Sequence, residues 1–464
     1  MLLAALAPLL VAYAVACFRD PLRWALPAYA VSIPFSSLLS FGAGPFSSAS
    51  SLLGLLLGVA LLTQLITTRR SSPRLSLAIP VWLAFLALCG LSVFWSISPS
   101  VTVKAVAVFA SLVLLFFALA LTRFDRASLR RFESALLVGG ILVVCYGAAQ
   151  LLFLGGLPSL DGKSARLGND LLDPNNQAAA LLLPLALAAG RSLAGERTWR
   201  LLHGAAALVL VGGILMTGSR GGLLASVVVV SAVLLLGAGS RLTRATLGAA
   251  AGVVLAVVLI LQPAGIGQRQ VQDTLDSSGR TDIWTVGLHA CQVYCLTGAG
   301  WGGFPVVYRE QLVAVPEARF SPRGTMYQPH NIFLLALVEA GVLGLVLVAL
   351  GLGVALVSAL RLPRDMRGPP AAAMLGTLVS SFFLSNLEFK FFWALLAYIA
   401  ISVVLADDQR LPPAHPRVLR RFPITGSTSR MTTASGESTA LSPPPRAGPA
   451  GPRSRDGERQ VERG

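Results

Sequence analysis

ISPSVTVKAVAVFASLVLLFFALALTRFDRASLRR, residues 97–131, decides the fold. It opens on four residues without charge, runs through an apolar span at 102–122, and ends among Arg123, Arg126, Arg130 and Arg131. A bilayer core of ~30 Å needs about 20 mostly apolar residues per helix, and this run supplies them. Similar windows recur near 1–18, 24–41, 50–67, 77–96, 133–155, 175–194, 201–217, 220–238, 245–262, 331–360, 370–387 and 390–406. The chain therefore reads as an all-α polytopic membrane protein with about 12–13 transmembrane helices, the lower number applying if the first window does not cross.

Composition agrees. Of 464 residues, 55% are hydrophobic and 12% charged; soluble domains carry about 25% charged residues. Counting soluble domains from length does not apply to such a chain. Met1 to Phe18 has no positive segment ahead of its apolar run, so it reads as a first span and not as a cleaved signal.

The formal net charge of +16 does not point to nucleic acid, because nearly all the cations are Arg and most of them sit in short inter-span loops or in the C-terminal tail. One set of loops holds Arg19 and Arg23; Arg69, Arg70 and Arg74; Arg123 to Arg131; Arg191, Arg197 and Arg200; Arg241 and Arg244; and Arg361, Arg364 and Arg367. The alternate loops at 42–49 and 97–100 hold no charge. The positive-inside rule makes the Arg-bearing loops cytoplasmic. It then sets 156–174, 218–220, 263–329 and 388–390 on the extracytoplasmic side of the inner, cytoplasmic membrane. Residues 1–406 form one transmembrane unit that includes the large loop 263–329, itself expected to contain short helices. From Asp407 the composition turns rich in Pro and Arg, so 407–464 is expected to be a disordered cytoplasmic tail. Its ten Arg residues favour anionic membrane lipid.

Four clusters on the Arg-poor side carry candidate chemistry. In Thr217-Gly218-Ser219-Arg220-Gly221-Gly222, glycines allow a tight turn and Arg220 stands at the start of the next span. Guanidinium and helix N-terminus together suit an anion, a diphosphate above all. In Ser278-Gly279-Arg280-Thr281-Asp282-Ile283-Trp284, Ser278 or Thr281 is a candidate cap for an interfacial helix bearing Trp284, Leu288 and Cys295 on its apolar face. Arg280 at its N-terminus opposes the helix dipole unless it meets an anion. Gly298-Ala299-Gly300-Trp301-Gly302-Gly303 spells GxGxxG but follows a helix and not a strand, so it reads as a flexible turn. In Gln328-Pro329-His330-Asn331, Asn331 is a candidate N-cap and His330 has a pKa range suited to proton transfer. Glu339, two and a half turns deeper, reads as an internal hydrogen-bond or Arg partner.

The loop 263–329 carries five Arg and five acidic residues, so anion binding there must come from particular arginines and not from a bulk field. Cys291 and Cys295 lie four apart, a poor spacing for a disulfide on one helix, and no metal-type cluster joins them.

The order of Gly218-Ser219-Arg220-Gly221, Gly279-Arg280-Thr281-Asp282-Ile283-Trp284, Gly298-Ala299-Gly300 and His330-Asn331 with Glu339-Ala340-Gly341 resembles the O-antigen ligase and Wzy-type polymerase superfamily. Asp173-Pro174-Asn175-Asn176 at a span start is similar too. The likeness covers roughly 165–395. It implies a GT-C-like glycosyltransferase that needs no metal and no cofactor. Such an enzyme moves a glycan, with inversion, from an undecaprenyl diphosphate-linked donor to an acceptor hydroxyl on a glycolipid, polysaccharide or protein. By the same resemblance Arg220 and Arg280 hold the diphosphate, His330 orients or deprotonates the acceptor, and Asn175 and Asn331 join substrate binding. Ligase, polymerase and protein O-oligosaccharyltransferase differ in acceptor, with ligase slightly favoured. A transporter is the alternative of another class, against which stands the lack of a midplane relay of ionisable residues.

Overall fold

The computed structural model describes residues 2–36, 39, 47–68, 76–153, 174–194, 196–245, 248, 249, 252, 280–316, 318 and 327–410. Within them the protein is built of α-helices and short 3-10 turns. Six helices are long and apolar enough to cross a membrane: Ala49–Thr67, Pro99–Leu121, Arg126–Gln150, Arg197–Met216, Ile332–Arg361 and Lys390–Asp408. Four shorter apolar helices join them: Ala7–Arg19, Ala25–Phe35, Ala78–Phe94 and Arg220–Leu236. The protein is a multi-pass membrane protein. The span expected at 245–262 lies almost wholly outside the described residues, as do Asp173, Ser278, Gly279 and the tail beyond Arg410.

Three expected spans differ in detail. The window 175–194 is two helices, Pro174–Ala180 and Leu182–Ser192. Pro184 lacks the N–H that would bond the Ala180 carbonyl, so the break falls there. This segment is buried along most of its length and supplies the centre of the bundle. The window 370–387 is shifted: the helix runs Arg364–Ser381, with Asp365 in its first turn, and the connecting turn is 382–389 instead of 388–390. Asn386 Nδ2 ends the helix by donating to Ser380 Oγ (3.2 Å) and Ser381 Oγ (2.8 Å). The last helix, Lys390–Arg410, passes the composition break at Asp407, since extending a formed helix by a turn costs little.

Small residues let the helices approach closely, as expected where lipid gives no hydrophobic drive for association. Gly376 faces Val229, Gly222 faces Ala178, and Gly190 faces the ring of Pro369. Polar contacts join helices near both the Arg-bearing and the Arg-poor loops. At the Arg-rich end Arg191 Nη2 meets Glu133 Oε2 at 2.7 Å, and Tyr398 Oη donates to Glu133 Oε1 at 2.8 Å. That network ties three helices together. At the Arg-poor end Ile97 N–H donates to Ala299 O (3.0 Å) and Trp95 Nε1 to Thr297 O (3.0 Å).

Candidate functional site

Each sequence-predicted residue stands at a helix start on the Arg-poor end. Thr217, Gly218 and Ser219 make the turn before Arg220, with Gly218 at φ 64°. Ser219 Oγ caps the helix Arg220–Leu236, accepting from Gly222 N–H at 3.0 Å, and itself donates to Asn175 Oδ1 at 2.8 Å. That bond brings Asn175 to the Arg220 turn. Arg220 is the first residue of its helix and is exposed.

Arg280 likewise begins a helix, Arg280–Tyr294, with Asp282 in its first turn. One turn on, Trp284 Nε1 donates to Pro329 O at 2.8 Å, which fixes this helix beside His330. His330 has φ 47°, the non-glycine residue with positive φ among those described. Left-handed backbone at such a residue is uncommon and is retained where the surroundings dictate it. Asn331 is the expected N-cap: its Oδ1 accepts from Phe333 N–H (2.9 Å) and Leu334 N–H (3.0 Å). Its Nδ2 donates to Phe382 O at 3.4 Å.

The turn 382–389 joins these pieces. The ring of Phe382 lies 5.0 Å from that of Phe333. Phe383 packs against Gly221, where an added Cβ would come within 3.1 Å of the ring, and the Arg280 guanidinium lies 5.9 Å above the Phe383 ring centre. Arg280 and the residue after Arg220 therefore meet on one phenylalanine. No apolar-run or motif signal marks this residue in the sequence, because reading the span as 370–387 hides it inside a helix.

The glycine motif is a turn, as expected, with Gly298, Gly300 and Gly302 at φ 85°, 97° and 80°. It is not loose. Ala299 N–H donates to Val338 O (2.8 Å) and Gly300 N–H to Glu339 O (3.0 Å). The Glu339 carboxylate, fully buried, accepts from Gly302 N–H (2.8 Å) and Phe304 N–H (2.9 Å). Glu339 is thus an internal hydrogen-bond partner, to backbone and not to Arg. Trp301 inserts into the bundle between Phe85 and Phe109, at 5.5 and 4.8 Å. Opposite it, the helix Ile332–Arg361 breaks at Gly341 (φ 73°), and Val342 N–H donates to Cys295 O at 2.9 Å. Cys291 and Cys295 form a disulfide, contrary to the reading of their spacing. The two cysteines stand one turn apart at the end of the helix, where Cys295 N–H donates to Cys291 O at 3.3 Å.

Behind Asn175, a cavity of about 80 Å³ is lined by Asn176, Gln177, Glu388 and Lys390 among others. Lys390 Nζ donates to Ser48 Oγ (3.1 Å) and Ser50 Oγ (2.8 Å). Burial pushes the Glu388 carboxyl from its ordinary 4.5 up to about 7. A raised folded pKa means that the folded state holds the proton more tightly. The stabilisation is full below the unfolded value and is lost as pH rises through about 7. Thermal unfolding in detergent should thus show a Tm that falls from pH 5 to pH 8, with a shallower fall in Glu388→Gln. Equal slopes in the two proteins would contradict the assignment.

Residues 205–349 match the family model described as O-antigen ligase. The match covers about a third of the chain and is a likeness to that family. A curated relative, the exopolysaccharide production protein ExoQ of Rhizobium meliloti (strain 1021), is 27% identical over 311 residues, 64% of this chain and 69% of the relative. The O-antigen ligase match includes Arg220, Arg280, His330, Asn331 and Glu339, and it begins after Asn175. Most of the site thus lies in the matched segment, whereas Phe383 and Glu388 lie beyond its end. Coarsely, the chain is a multi-pass membrane protein of which residues 205–349 resemble O-antigen ligase.

Proposed function

We propose that the protein transfers a glycan from undecaprenyl diphosphate to an acceptor hydroxyl at the extracytoplasmic face of the cytoplasmic membrane, with inversion and without a metal ion. One observation carries the reading: Arg280 and Gly221, the residue after Arg220, meet at Phe383, and Trp284 ties the Arg280 helix to the backbone beside a left-handed His330. Helix N-termini and guanidinium groups both favour phosphate oxygens. Arg220 and Arg280 therefore hold the donor diphosphate and stabilise the negative charge that grows on it as the bond from the anomeric carbon to the diphosphate oxygen breaks. His330 accepts the proton of the acceptor hydroxyl while that oxygen bonds the anomeric carbon from the opposite face. The electron pair of the broken bond leaves on the diphosphate. Asn175 and Asn331 border the site and position substrate.

Two arginines supply the positive charge that a metal would otherwise bring. Among the described residues no three His, Cys, Asp or Glu side chains group as metal ligands. Sidedness rests on the alternation of Arg-bearing and Arg-poor loops along the sequence, of which the positive-inside rule makes the Arg-bearing set cytoplasmic. The bundle of spans with a loop of short helices is in keeping with a GT-C-like architecture.

A second reading is polymerisation, in which the acceptor is another lipid-linked glycan. The likeness to an exopolysaccharide production protein favours it. Both are tested by reconstituting the purified protein in vesicles with an undecaprenyl diphosphate-linked glycan, with and without separate glycolipid, polysaccharide or protein acceptors. Mass spectrometry and the anomeric configuration of the product then decide. One glycan added to a separate acceptor is ligation; a ladder from the donor alone is polymerisation. Passage of glycan across the vesicle wall with the donor bond intact would overturn both in favour of transport.

A further inference from the structure

The turn between the last two described helices approaches both arginine-bearing helix starts. Its point of contact is Phe383. The Arg280 guanidinium stands 5.9 Å from the ring centre. The same side chain lies so close to Gly221 that a β-carbon there would sit 3.1 to 3.2 Å from three of its atoms. A ring placed this way sets the separation between the Arg280 helix start and the Arg220 turn.

The ring is itself held. Phe383 N–H donates to Ser380 O at 2.9 Å, and Asn386 bonds the hydroxyls of Ser380 and Ser381. The neighbouring Phe382 offers its carbonyl to Asn331 and its ring to Phe333. Phe383 is therefore carried by a turn anchored to the same helix start that presents His330.

An aromatic face attracts a guanidinium through its quadrupole and does not cancel its charge, as a carboxylate would. Such a partner suits an arginine that must be aimed and yet remain attractive to phosphate. We propose that Phe383 is a positioning residue for the donor diphosphate: its ring holds Arg280 against the Arg220 turn so that both guanidinium groups address one anion. This rests on the function proposed above, in that the anion is taken to be the donor's diphosphate. Phe383 touches no reacting atom and acts through Arg280.

Two readouts on the full-length protein in detergent or vesicles test it. The first needs no catalysis: the rate at which phenylglyoxal modifies Arg280, read by peptide mass spectrometry. Phe383→Leu should speed modification, because leucine has no face to hold the guanidinium, whereas Phe383→Tyr should leave it near the wild-type rate. The second is steady-state transfer from an undecaprenyl diphosphate-linked glycan. Phe383→Leu should raise KM for the donor roughly 2- to 30-fold, the range of a cation–π contact. KM for the acceptor should hold, and Phe383→Tyr should restore the donor KM. Gly221→Ala, whose methyl group presses on the ring, should shift donor KM in the same direction by less. Equal modification rates in wild type and Phe383→Leu would overturn the contact. A Tyr variant as impaired as the Leu variant, or losses in kcat alone, would overturn the positioning role. Absence of transfer by the wild-type protein would count against the proposed function, while the modification rates would still decide whether Phe383 holds Arg280.

Discussion

Alanine at Arg280 is expected to lower glycan transfer by about two to three orders of magnitude, the loss typical when one group that stabilises developing negative charge is removed. Arg220→Ala should act alike, and His330→Ala should cost about 10²- to 10⁴-fold through loss of the general base. Arg280→Lys should recover only part of the activity, since an ammonium keeps the charge but not the planar two-pronged geometry that matches phosphate. None of the three alanine variants should lose the fold. Arg220 is exposed at its helix start, and the capping of the two neighbouring helices is carried by Ser219 and Asn331 instead. Transfer assays on variants matched for membrane level and for Tm check this. Full activity in all three would refute the mechanism.

The largest loss of stability is expected at a glycine that bears no chemistry. Gly298 has φ 85°, and a β-carbon there would overlap the carbonyl of Glu339, which belongs to backbone and has no side-chain freedom with which to yield. Left-handed backbone with a side chain costs ~1–2 kcal/mol, and forced overlap in packed surroundings ~1–3 kcal/mol, so Gly298→Ala should destabilise by about 2–5 kcal/mol. Glu339→Gln should act in the same region by another route. An amide oxygen can still accept from one of Gly302 and Phe304, but an NH₂ group then faces the other N–H. Melting curves and protease sensitivity of the loop report both. A Gly298→Ala protein with wild-type Tm would show that the turn does not pack on the broken helix as described.

These two predictions also divide what the sequence discloses from what it does not. Spans are legible because membrane thickness imposes a length and composition that few other structures share, and each described window holds helix, although the one at 175–194 is broken and the one at 370–387 ends at Ser381. Helix starts are legible for a local reason: Asn331 before an apolar run signals a cap, and Arg280 after a glycine signals a start. Glu339 could be recognised as an internal partner because a buried carboxylate must be hydrogen-bonded. The identity of its partners could not, since they come from a glycine turn some forty residues earlier that is anchored by Trp301. Phe383 stayed hidden because an apolar residue at the end of an apolar window looks like membrane core. Only the bonds of Asn386 to Ser380 and Ser381 show that the helix has already ended.

The central claim is that Arg220, Arg280 and His330 serve one transfer from a lipid diphosphate. Counting undecaprenyl diphosphate released against glycosidic bonds formed, with purified protein in the presence of a chelator, tests it most directly. The account predicts one diphosphate for each new bond, unchanged by the chelator, and neither product with Arg280→Ala. Activity abolished by the chelator would contradict the metal-free mechanism. Bonds formed without release of the diphosphate, or at the wild-type rate in Arg280→Ala, would contradict the site itself.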